Sequence, residues 1–483
     1  MRLLGRPEPD EHVGNAVGVE STSVIPGWLP TALMVLFLAA VARQGARAIT
    51  DPDTFWHLRL GHDIMSARSL TSITEPWSAV SDQPWVPTQW LTEVVLAIAE
   101  DLGGLPAIAW LFTVALLALV LLIHRMTRRV ADSVPAAFAT GLTVAAMAAS
   151  LSPRPHLVTY LCLCLTLLAW HGTVEDLRPR WWLIPLTWLW AMSHGMWFVG
   201  PVLGVAVLLG LALDGRLDRQ LAVKLAAVPA AGLLVAALTP VGPALLGAPF
   251  AVAGVGSFIT EWQAPSFRSP GPAAAALMVA VVVMSWARST RRVPWAHVAL
   301  LALAVGWILL ATRTVALGAL IVSPLFAATL QGMLRRDRST PTARESRTLV
   351  LAAVAIACVT ALVVPQSASD PAAVPVRLDT ELDALTPGAV VFNDYKLGGW
   401  LRWQHPDLEP VVDGMTEAYS VQHLRDYGRT QAVAGGWEDT FDGWDPEAAL
   451  VLENSPLATA LVDRRGWTSI AEDEGYVLLV PSS

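Results

Sequence analysis

The chain has 483 residues, of which 54% are hydrophobic and 15% are charged, and its formal net charge is −8. This composition is more apolar than that of soluble globular proteins, so we expect a protein embedded in a membrane. Its acidic balance makes nucleic acid an unlikely class of partner, and three cysteines inside apolar segments exclude a disulfide scaffold.

Apolar segments close to the length of a membrane-spanning helix recur over the first three quarters of the chain. They follow a polar stretch, residues 1–26, which we expect to be a disordered cytoplasmic tail. The sequence predicts about eleven spans, at residues 27–46, 104–124, 134–151, 156–172, 181–193, 196–213, 220–239, 271–288, 294–311, 314–334 and 348–366.

The distribution of Lys and Arg between the predicted loops sets the orientation of these spans. With the N-terminus in the cytoplasm, eighteen of the basic residues before residue 366 fall on the inner side and seven on the outer side. Cytoplasmic loops carry such an excess of basic residues. We therefore expect a multi-pass protein of the plasma (inner) membrane whose residues after 366 lie outside the cytoplasm.

The first span leads into an outer loop, residues 47–103, which opens with Asp51-Pro52-Asp53 and Trp56-His57. The pattern predicts amphipathic segments at 55–67 and 88–100, and a loop of this length is usually functional. Three tryptophans are expected to seat the loop on the membrane surface: Trp77, Trp85 and Trp90.

Further polar residues occur at the outer ends of later spans. Ionisable groups at membrane depth often mark a site. Any one of these residues has an ordinary structural explanation. An arginine can reach from a helix end to the membrane surface, a histidine can be hydrogen-bonded in the core, and a tryptophan can lie at the membrane interface. Together they fall on one face of the membrane, and the set comprises His57, Arg154, His156, His194, Glu261, Trp262 and Arg313.

Residues 366–483 differ in character from the spans, with twenty Asp or Glu against seven Lys or Arg. A Pro- and Ser-containing linker at 365–376 separates this region from the transmembrane core, residues 27–365. The pattern predicts a small extracytoplasmic α/β domain with a solvated acidic surface. Its expected elements are strands at 389–392, 410–412 and 448–452, helices at 418–434 and 456–465, and a closing hairpin from 467 to 480.

Several of these motifs, in this order, resemble bacterial multi-pass membrane proteins of the GT-C glycosyltransferase superfamily. The resemblance covers most of the chain. It departs from the expected pattern in two places, where Glu75 stands for an aspartate and Thr88-Gln89 stands for His-Glu. The motifs that carry it are Asp51-Pro52-Asp53-Thr54-Phe55-Trp56-His57-Leu58, Glu75-Pro76-Trp77-Ser78, Gln89-Trp90-Leu91-Thr92-Glu93, Arg154-Pro155-His156, His194-Gly195, Glu261-Trp262, Phe392-Asn393-Asp394 and Val412-Asp413-Gly414.

The resemblance implies a mainly helical, polytopic GT-C-like core that moves a sugar from a polyprenyl-phosphate carrier to an extracytoplasmic acceptor. Such transfer needs a base near the acceptor oxygen and cations near the departing phosphate. We assign the catalytic role to Asp51, Asp53 and His57, donor phosphate binding to Arg154, His156 and Arg313, and substrate binding to His194, Glu261 and Trp262. Asp51 and Asp53 have the alternative role of holding a divalent metal, Mg²⁺ or Mn²⁺, and we expect no other cofactor.

The leading hypothesis is therefore a membrane hexosyl- or pentosyltransferase. Its partners would be a polyprenyl-phosphate sugar donor, membrane lipids, and a glycan, lipid or protein acceptor. Two alternatives are a polytopic transporter or flippase, and a non-catalytic GT-C-like assembly subunit in cell-envelope biogenesis. A transporter should carry ionisable residues near the midplane and repeated halves, whereas here they lie at one face.

Overall fold

A computed structural model of the chain describes residues 28–70, 78, 85–334 and 338–482. The predicted tail at 1–26 lies outside these residues, as do Glu75, Pro76 and Trp77. The helices of the first part of the chain are α1 Leu29–Gly45, α2 Pro52–Ala67, α3 Trp90–Arg128, α4 Ser133–Met147, α5 His156–Asp176, α6 Leu183–Ser193, α7 Val199–Leu213, α8 Arg219–Ala236, α9 Ala244–Val255, α10 Pro270–Ala287, α11 Trp295–Leu310, α12 Val315–Leu334 and α13 Ala343–Ser367.

The polytopic helical architecture predicted from the apolar segments is confirmed. Within the described residues, eight helical segments are long and apolar enough to cross a membrane, and α1, α6 and α11 are shorter apolar helices. Each of the eleven predicted spans coincides with one of these segments, although the number that cross stays a prediction. The segment containing α12 is the centre of the bundle. In its apolar stretch 83% of the residues are buried, whereas in those of α10 and α13 only 22% are buried.

Helix α3 contains both an outer-loop helix and a span, separated by a break at two glycines. Gly104 has φ 62°, a left-handed conformation that glycine adopts without steric cost. The break follows the predicted amphipathic segment 88–100 and precedes the predicted span 104–124. It redirects the chain from the membrane surface into the bundle.

The C-terminal region contains a small sheet covered by short helices. Strands β1 Val390–Asn393, β2 Glu409–Pro410 and β3 Ala448–Leu452 are parallel, and β4 Thr468–Asp473 and β5 Tyr476–Val480 complete the sheet order β2-β1-β3-β5-β4 as an antiparallel hairpin. The predicted closing hairpin and the predicted strand 448–452 are therefore confirmed. The helices are α14 Asp379–Asp383, α15 Gly398–Gln404, α16 Val421–Gln431, α17 Trp437–Gly443 and α18 Pro456–Arg465.

Two predicted elements of this region are shorter than expected. The strand predicted at 410–412 ends at Pro410. The N–H of Val411 is shared between the Val391 carbonyl at 3.1 Å and Asn393 Oδ1 at 3.0 Å, and the N–H of Val412 donates to Asn393 Oδ1 at 3.3 Å. The helix predicted at 418–434 begins at Val421, because the Ser420 side chain caps it by accepting a bond from His423 N.

Helix α2 and the C-terminal region share a hydrophobic core. Trp56, Leu60 and Ile64 belong to the same buried cluster as Phe392, Val411 and Leu461. Trp85 and Trp90, expected to lie on the membrane surface, pack partly against this cluster. The C-terminal region is therefore packed against α2 and against Trp85 and Trp90.

Candidate active site

The predicted site residues meet at one cavity of about 720 Å³, between the outer ends of the spans, α2 and the C-terminal region. Asp51 does not line this cavity but contacts Arg154, which does. The predicted residues that line it are Asp53, His57, Arg154, His156, His194, Glu261, Trp262 and Arg313.

The acidic motif forms the N-terminus of α2. Asp51 is the N-cap residue and its Oδ1 accepts a hydrogen bond from Asp53 N at 3.0 Å, while Pro52 occupies the first turn, where proline is favoured. This local geometry explains the spacing of the motif. It turns one carboxylate back onto the helix end and leaves Asp53 at the cavity wall.

Arg154 links three carboxylates across the cavity. Its Nε lies 2.7 Å from both Asp51 oxygens, and its Nη1 lies 2.8 Å from Asp53 Oδ2 and 3.0 Å from Glu261 Oε1. Burial alone would lower the pKa of Arg154, but these carboxylates raise it above its ordinary value. Glu261 continues the chain of charges to Arg313, whose Nη1 lies 3.4 Å from Glu261 Oε2.

Asp53 is poised to accept a proton near neutral pH. Burial raises the pKa of Asp53 to about 6, with Arg154 opposing the shift and the Asp51 carboxylate adding to it. A carboxylate with a pKa close to the working pH is well matched to general base catalysis. The structure therefore separates the two aspartates, since Asp51 caps the helix and Asp53 faces the cavity.

His194 presents a hydrogen-bond donor to the cavity. His194 Nδ1 accepts from the backbone N–H of Met196 at 3.3 Å, so the Thr159 hydroxyl, 2.8 Å away, donates to the same nitrogen. In the neutral imidazole the proton is therefore on Nε2, which lies 3.4 Å from Arg313 Nη2. Because both of these nitrogens are donors, the space beside them suits an acceptor, and an anionic oxygen most of all.

The other two predicted histidines are held by buried partners. His156 Nε2 donates to the Ser150 carbonyl at 2.6 Å, and its ring lies 6.3 Å from that of His194. His57 Nδ1 lies 2.9 Å from Glu93 Oε1, with both side chains buried. Burial, with a contribution from Arg154, lowers the pKa of His57 well below its usual range, so this ring is neutral.

Tryptophans form part of the cavity wall and offer hydrogen bonds. Trp56, Trp262 and Trp307 line the cavity, and among the described residues their buried indole nitrogens have no hydrogen-bond partner. An unpaired buried donor is costly, so a polar ligand in the cavity would remove this cost. Sugar hydroxyls are acceptors of the right kind.

The sequence interpretation missed the residues that close the cavity from the C-terminal region. Tyr395, Lys396 and Glu417 line it, and Tyr395 OH lies 2.8 Å from Thr416 Oγ1. Burial raises the pKa values of Tyr395 and Glu417. Their position in the sequence could have indicated Tyr395 and Lys396. They follow the carboxyl end of the predicted strand 389–392 by three and four residues, and parallel sheets commonly hold ligands at this end.

The carboxylates of the site do not form a metal centre as they stand. No group of three or more His, Cys, Asp or Glu side chains is arranged to hold a metal within the part of the chain that the structure describes. Arg154 occupies both Asp51 oxygens and Asp53 Oδ2, and a metal bound there would have to displace this guanidinium.

Comparison with known proteins agrees with this architecture. A family model for dolichyl-phosphate-mannose-protein mannosyltransferases matches residues 82–243, about a third of the chain. No curated protein is similar enough in sequence to match. Among solved structures, the Archaeoglobus fulgidus oligosaccharyltransferase in its apo form has a TM-score of 0.55 at 12% identity, over 87% of this chain and 69% of that one.

A second similar structure is ArnT from Cupriavidus metallidurans bound to undecaprenyl phosphate. Its TM-score is 0.51 at 16% identity, over 95% of this chain and 98% of that one. The chain has the GT-C fold. The resemblance predicted from the outer-loop motifs is therefore confirmed, and the cavity described above lies within a GT-C architecture.

Proposed function

We propose that this protein is an integral membrane glycosyltransferase that moves a sugar from a polyprenyl-phosphate carrier to an acceptor on the extracytoplasmic side. The proposal rests on three side chains that line one cavity of the GT-C fold. Asp53 is a carboxylate whose pKa burial raises to about 6. Arg313 is a cation, and His194 is a hydrogen-bond donor beside it. A base and an anion-binding group are the two parts that such a transfer requires.

Asp53 is the base in this proposal. The acceptor hydroxyl oxygen attacks C1 of the sugar while Asp53 takes the hydroxyl proton, and the bond between C1 and the phosphate oxygen breaks. The electron pair of that bond leaves with the polyprenyl phosphate. His57 does not compete for the proton, because burial lowers the pKa of its ring well below the usual range and makes it a weak base.

Asp51 acts as a positioning residue. It holds the Nε edge of the Arg154 guanidinium with both carboxylate oxygens, so that Nη1 is directed toward Asp53 and Glu261. Arg154 thereby keeps the Asp53 carboxylate in place and limits the rise in its pKa.

A divalent metal at Asp51 and Asp53 stays a prediction, which assay in the presence of a chelator would check.

Arg313 and His194 bind the phosphate of the donor. Their donor nitrogens lie 3.4 Å apart, a separation at which one phosphate oxygen accepts from both. His156, whose Nε2 is committed to the Ser150 carbonyl, lines the same wall and shapes the phosphate site. Hydrogen bonds to a charged oxygen strengthen as negative charge develops on the leaving group.

The polyprenyl chain lies along the apolar wall of the cavity. Phe198, Phe258, Trp307 and Leu310 line this wall, and Leu310 is 58% exposed at the end of an apolar helix. An apolar surface at membrane depth is open to lipid, so a lipid carrier can enter from the bilayer without leaving it. Glu261 and Trp262, between this wall and Arg154, contact the sugar.

The comparisons support a lipid-linked donor. The Cupriavidus ArnT structure is bound to undecaprenyl phosphate, and the Archaeoglobus AglB structure (TM-score 0.55, 12% identity, 87% of this chain and 69% of that one) is in complex with an inhibitory peptide and a dolichol-phosphate. We propose that the cavity of this multi-pass membrane protein faces the outside, with the N-terminus in the cytoplasm and residues 366–483 extracytoplasmic.

A donor panel tests the proposed function. Membranes containing the full chain are incubated with labelled polyprenyl-phosphate hexoses and pentoses, and with nucleotide sugars as control donors. We expect at least one polyprenyl-phosphate sugar, and no nucleotide sugar, to label a membrane component beyond the level of membranes lacking the protein. If no polyprenyl-phosphate sugar is consumed, the protein is not the transferase we propose, and a non-catalytic subunit or a transporter would explain the fold.

A further inference from the structure

A second cavity, of about 550 Å³, lies in the C-terminal region at the carboxyl ends of β1 and β3. From β1 the chain passes through α15 to β2 on one side, then through α16 and α17 to β3 on the other side. The crevice between β1 and β3 is therefore the switch point of the sheet, where parallel α/β domains bind their ligands. We call it the switch-point groove; its lining includes Asp394, Gln431, Val451, Leu452, Asn454 and Ser455.

The groove combines polar groups with a small apolar surface. The Asp394 carboxylate is fixed because its Oδ1 accepts from Lys396 N at 3.0 Å and its Oδ2 lies 3.4 Å from Gln431 Nε2. The exposed Asn454 also lines the groove, as do Val451 and Leu452 at the end of β3. Carboxylate and amide groups beside an apolar patch suit the hydroxyls and ring face of a sugar.

The groove adjoins the catalytic cavity at α16. Gly428 and Gln431 line both cavities. Gly428 lies in the interior of α16, where alanine is the better helix former, and nothing lies within 4 Å of the position that a Cβ would take. Packing therefore does not require this glycine, and a large side chain at this position would enter the space beside α16 that both cavities share as lining.

We propose that the switch-point groove binds the non-reacting part of a neutral glycan acceptor, whose reacting hydroxyl reaches Asp53 past Gly428. This inference rests on the proposed function. An anionic acceptor is disfavoured because Asp394 is the charged side chain among the groove's described lining residues, in a region with twenty acidic and seven basic residues. An extended peptide would add to a sheet edge, and the edge strands β2 and β4 do not line the groove.

Binding of a glycan array to the full chain in detergent tests the site separately from catalysis. We expect wild-type protein to bind neutral oligosaccharides, and Asn454→Trp, which fills the groove, to weaken this binding by about tenfold or more. Asp394→Asn should weaken it as well. Matched controls are Ser469→Trp and Asp463→Asn, exposed positions of the same region outside the groove, which should bind as wild type.

A second pair of variants tests the passage between the cavities. Gly428→Trp should reduce sugar transfer by about tenfold or more while donor binding continues, whereas Gly443→Trp, at an exposed glycine outside both cavities, should transfer as wild type. Absence of neutral-glycan binding by wild type, unchanged binding by Asn454→Trp, or binding of peptides alone would overturn the groove assignment. Glycan binding should not depend on catalysis, so Asp53→Asn should bind glycans as wild type does. If wild type binds neutral glycans but transfers no sugar, the proposed function is wrong and the groove assignment is retained.

Discussion

Asp51 and Asp53 are two residues apart, yet their surroundings differ in every respect that matters for proton transfer. Asp51 Oδ1 accepts from Asp53 N at the helix N-terminus, and both Asp51 oxygens accept from Arg154 Nε. Asp53 lines the cavity and has a pKa that burial raises to about 6. The motif therefore combines one carboxylate that organises the site with one that faces the cavity while its Oδ2 is paired with Arg154.

The pKa of Asp53 predicts how transfer depends on pH. Since the base form of Asp53 exists above its raised pKa, transfer should be constant above about pH 7 and fall about tenfold per pH unit below about pH 5. The measurement is kcat/KM for sugar transfer across this range, with Asp463→Asn as a surface control. A flat profile through about pH 6 would remove Asp53 from the base role.

Arg313 should act on the donor phosphate rather than on the fold. Arg313→Ala should raise KM for the donor by about tenfold or more, because a charge-assisted bond to the phosphate is lost. Arg313→Lys keeps the charge without the fork and should recover part of the loss. Arg268→Ala, an exposed arginine outside the cavity, is the matched control. Equal donor KM for Arg313→Ala and wild type would count against this role.

At the scale of elements, α2 is clamped by the C-terminal region through glycines. A Cβ on Gly399 would lie 2.7 Å from Pro52 O, and one on Gly414 would lie 2.4 Å from Trp56 Nε1 and 2.5 Å from Asp53 Oδ1. Neighbouring Asp413 is fully buried and accepts from Arg402 Nη1 at 2.7 Å. These contacts place the C-terminal region directly on the helix end that carries the base.

Gly414→Ala should therefore impair transfer by displacing Asp53 and Trp56. We expect kcat to fall by about tenfold or more, because small displacements of a reacting group have large effects on rate. Expression and donor binding should change little. Gly443→Ala, at a position with open space around a Cβ, is the matched control. Wild-type kcat for Gly414→Ala would mean that the clamp does not position the base.

Local patterns in the sequence predicted the helices and the hairpin, because these elements depend on residues that are close together in the chain. Apolar segments of suitable length predicted eleven apolar helices but not the apolar helix α9, and a closing hairpin was predicted where β4 and β5 lie. Contacts between distant parts of the chain were not predictable in this way. The pairing of His57 with Glu93, and the approach of Tyr395 and Glu417 to the cavity, follow from tertiary packing that no local pattern encodes.

The nine predicted site residues could be selected from the sequence because a membrane restricts where polar side chains can lie. Each lies at the outer end of a span or on the outer loop, and that common depth was readable from the sequence. Depth alone could not distinguish Asp51 from Asp53, since that distinction depends on the position of Arg154, which lies 101 residues from Asp53 in the sequence.

At the scale of the whole molecule, charge separates two regions with different surroundings. Residues 366–483 have a net charge of −13, and the preceding residues a net charge of +5, with the basic residues concentrated on the predicted cytoplasmic side. This asymmetry predicts an acidic region outside the cell and a basic inner face that contacts anionic lipid headgroups. We predict that the cavity, which residues of the C-terminal region help to line, lies at the outer membrane surface.

Labelling of single cysteines with a membrane-impermeant maleimide tests this orientation. In a background without Cys162, Cys164 and Cys358, Asp463→Cys should react in intact cells, because it is exposed in the C-terminal region. Arg291→Cys, exposed between α10 and α11, should react only after the membrane is permeabilised. The opposite pattern would invert the predicted orientation.

The central claim is that Asp53 is the base of a lipid-linked glycosyl transfer. Its most direct test is single-turnover transfer of labelled sugar by purified Asp53→Asn, with donor binding measured on the same preparation and Asp463→Asn as the control. We expect donor binding to persist and the transfer rate to fall by about a hundredfold or more, as for loss of a general base. Transfer by Asp53→Asn at the wild-type rate would contradict the claim.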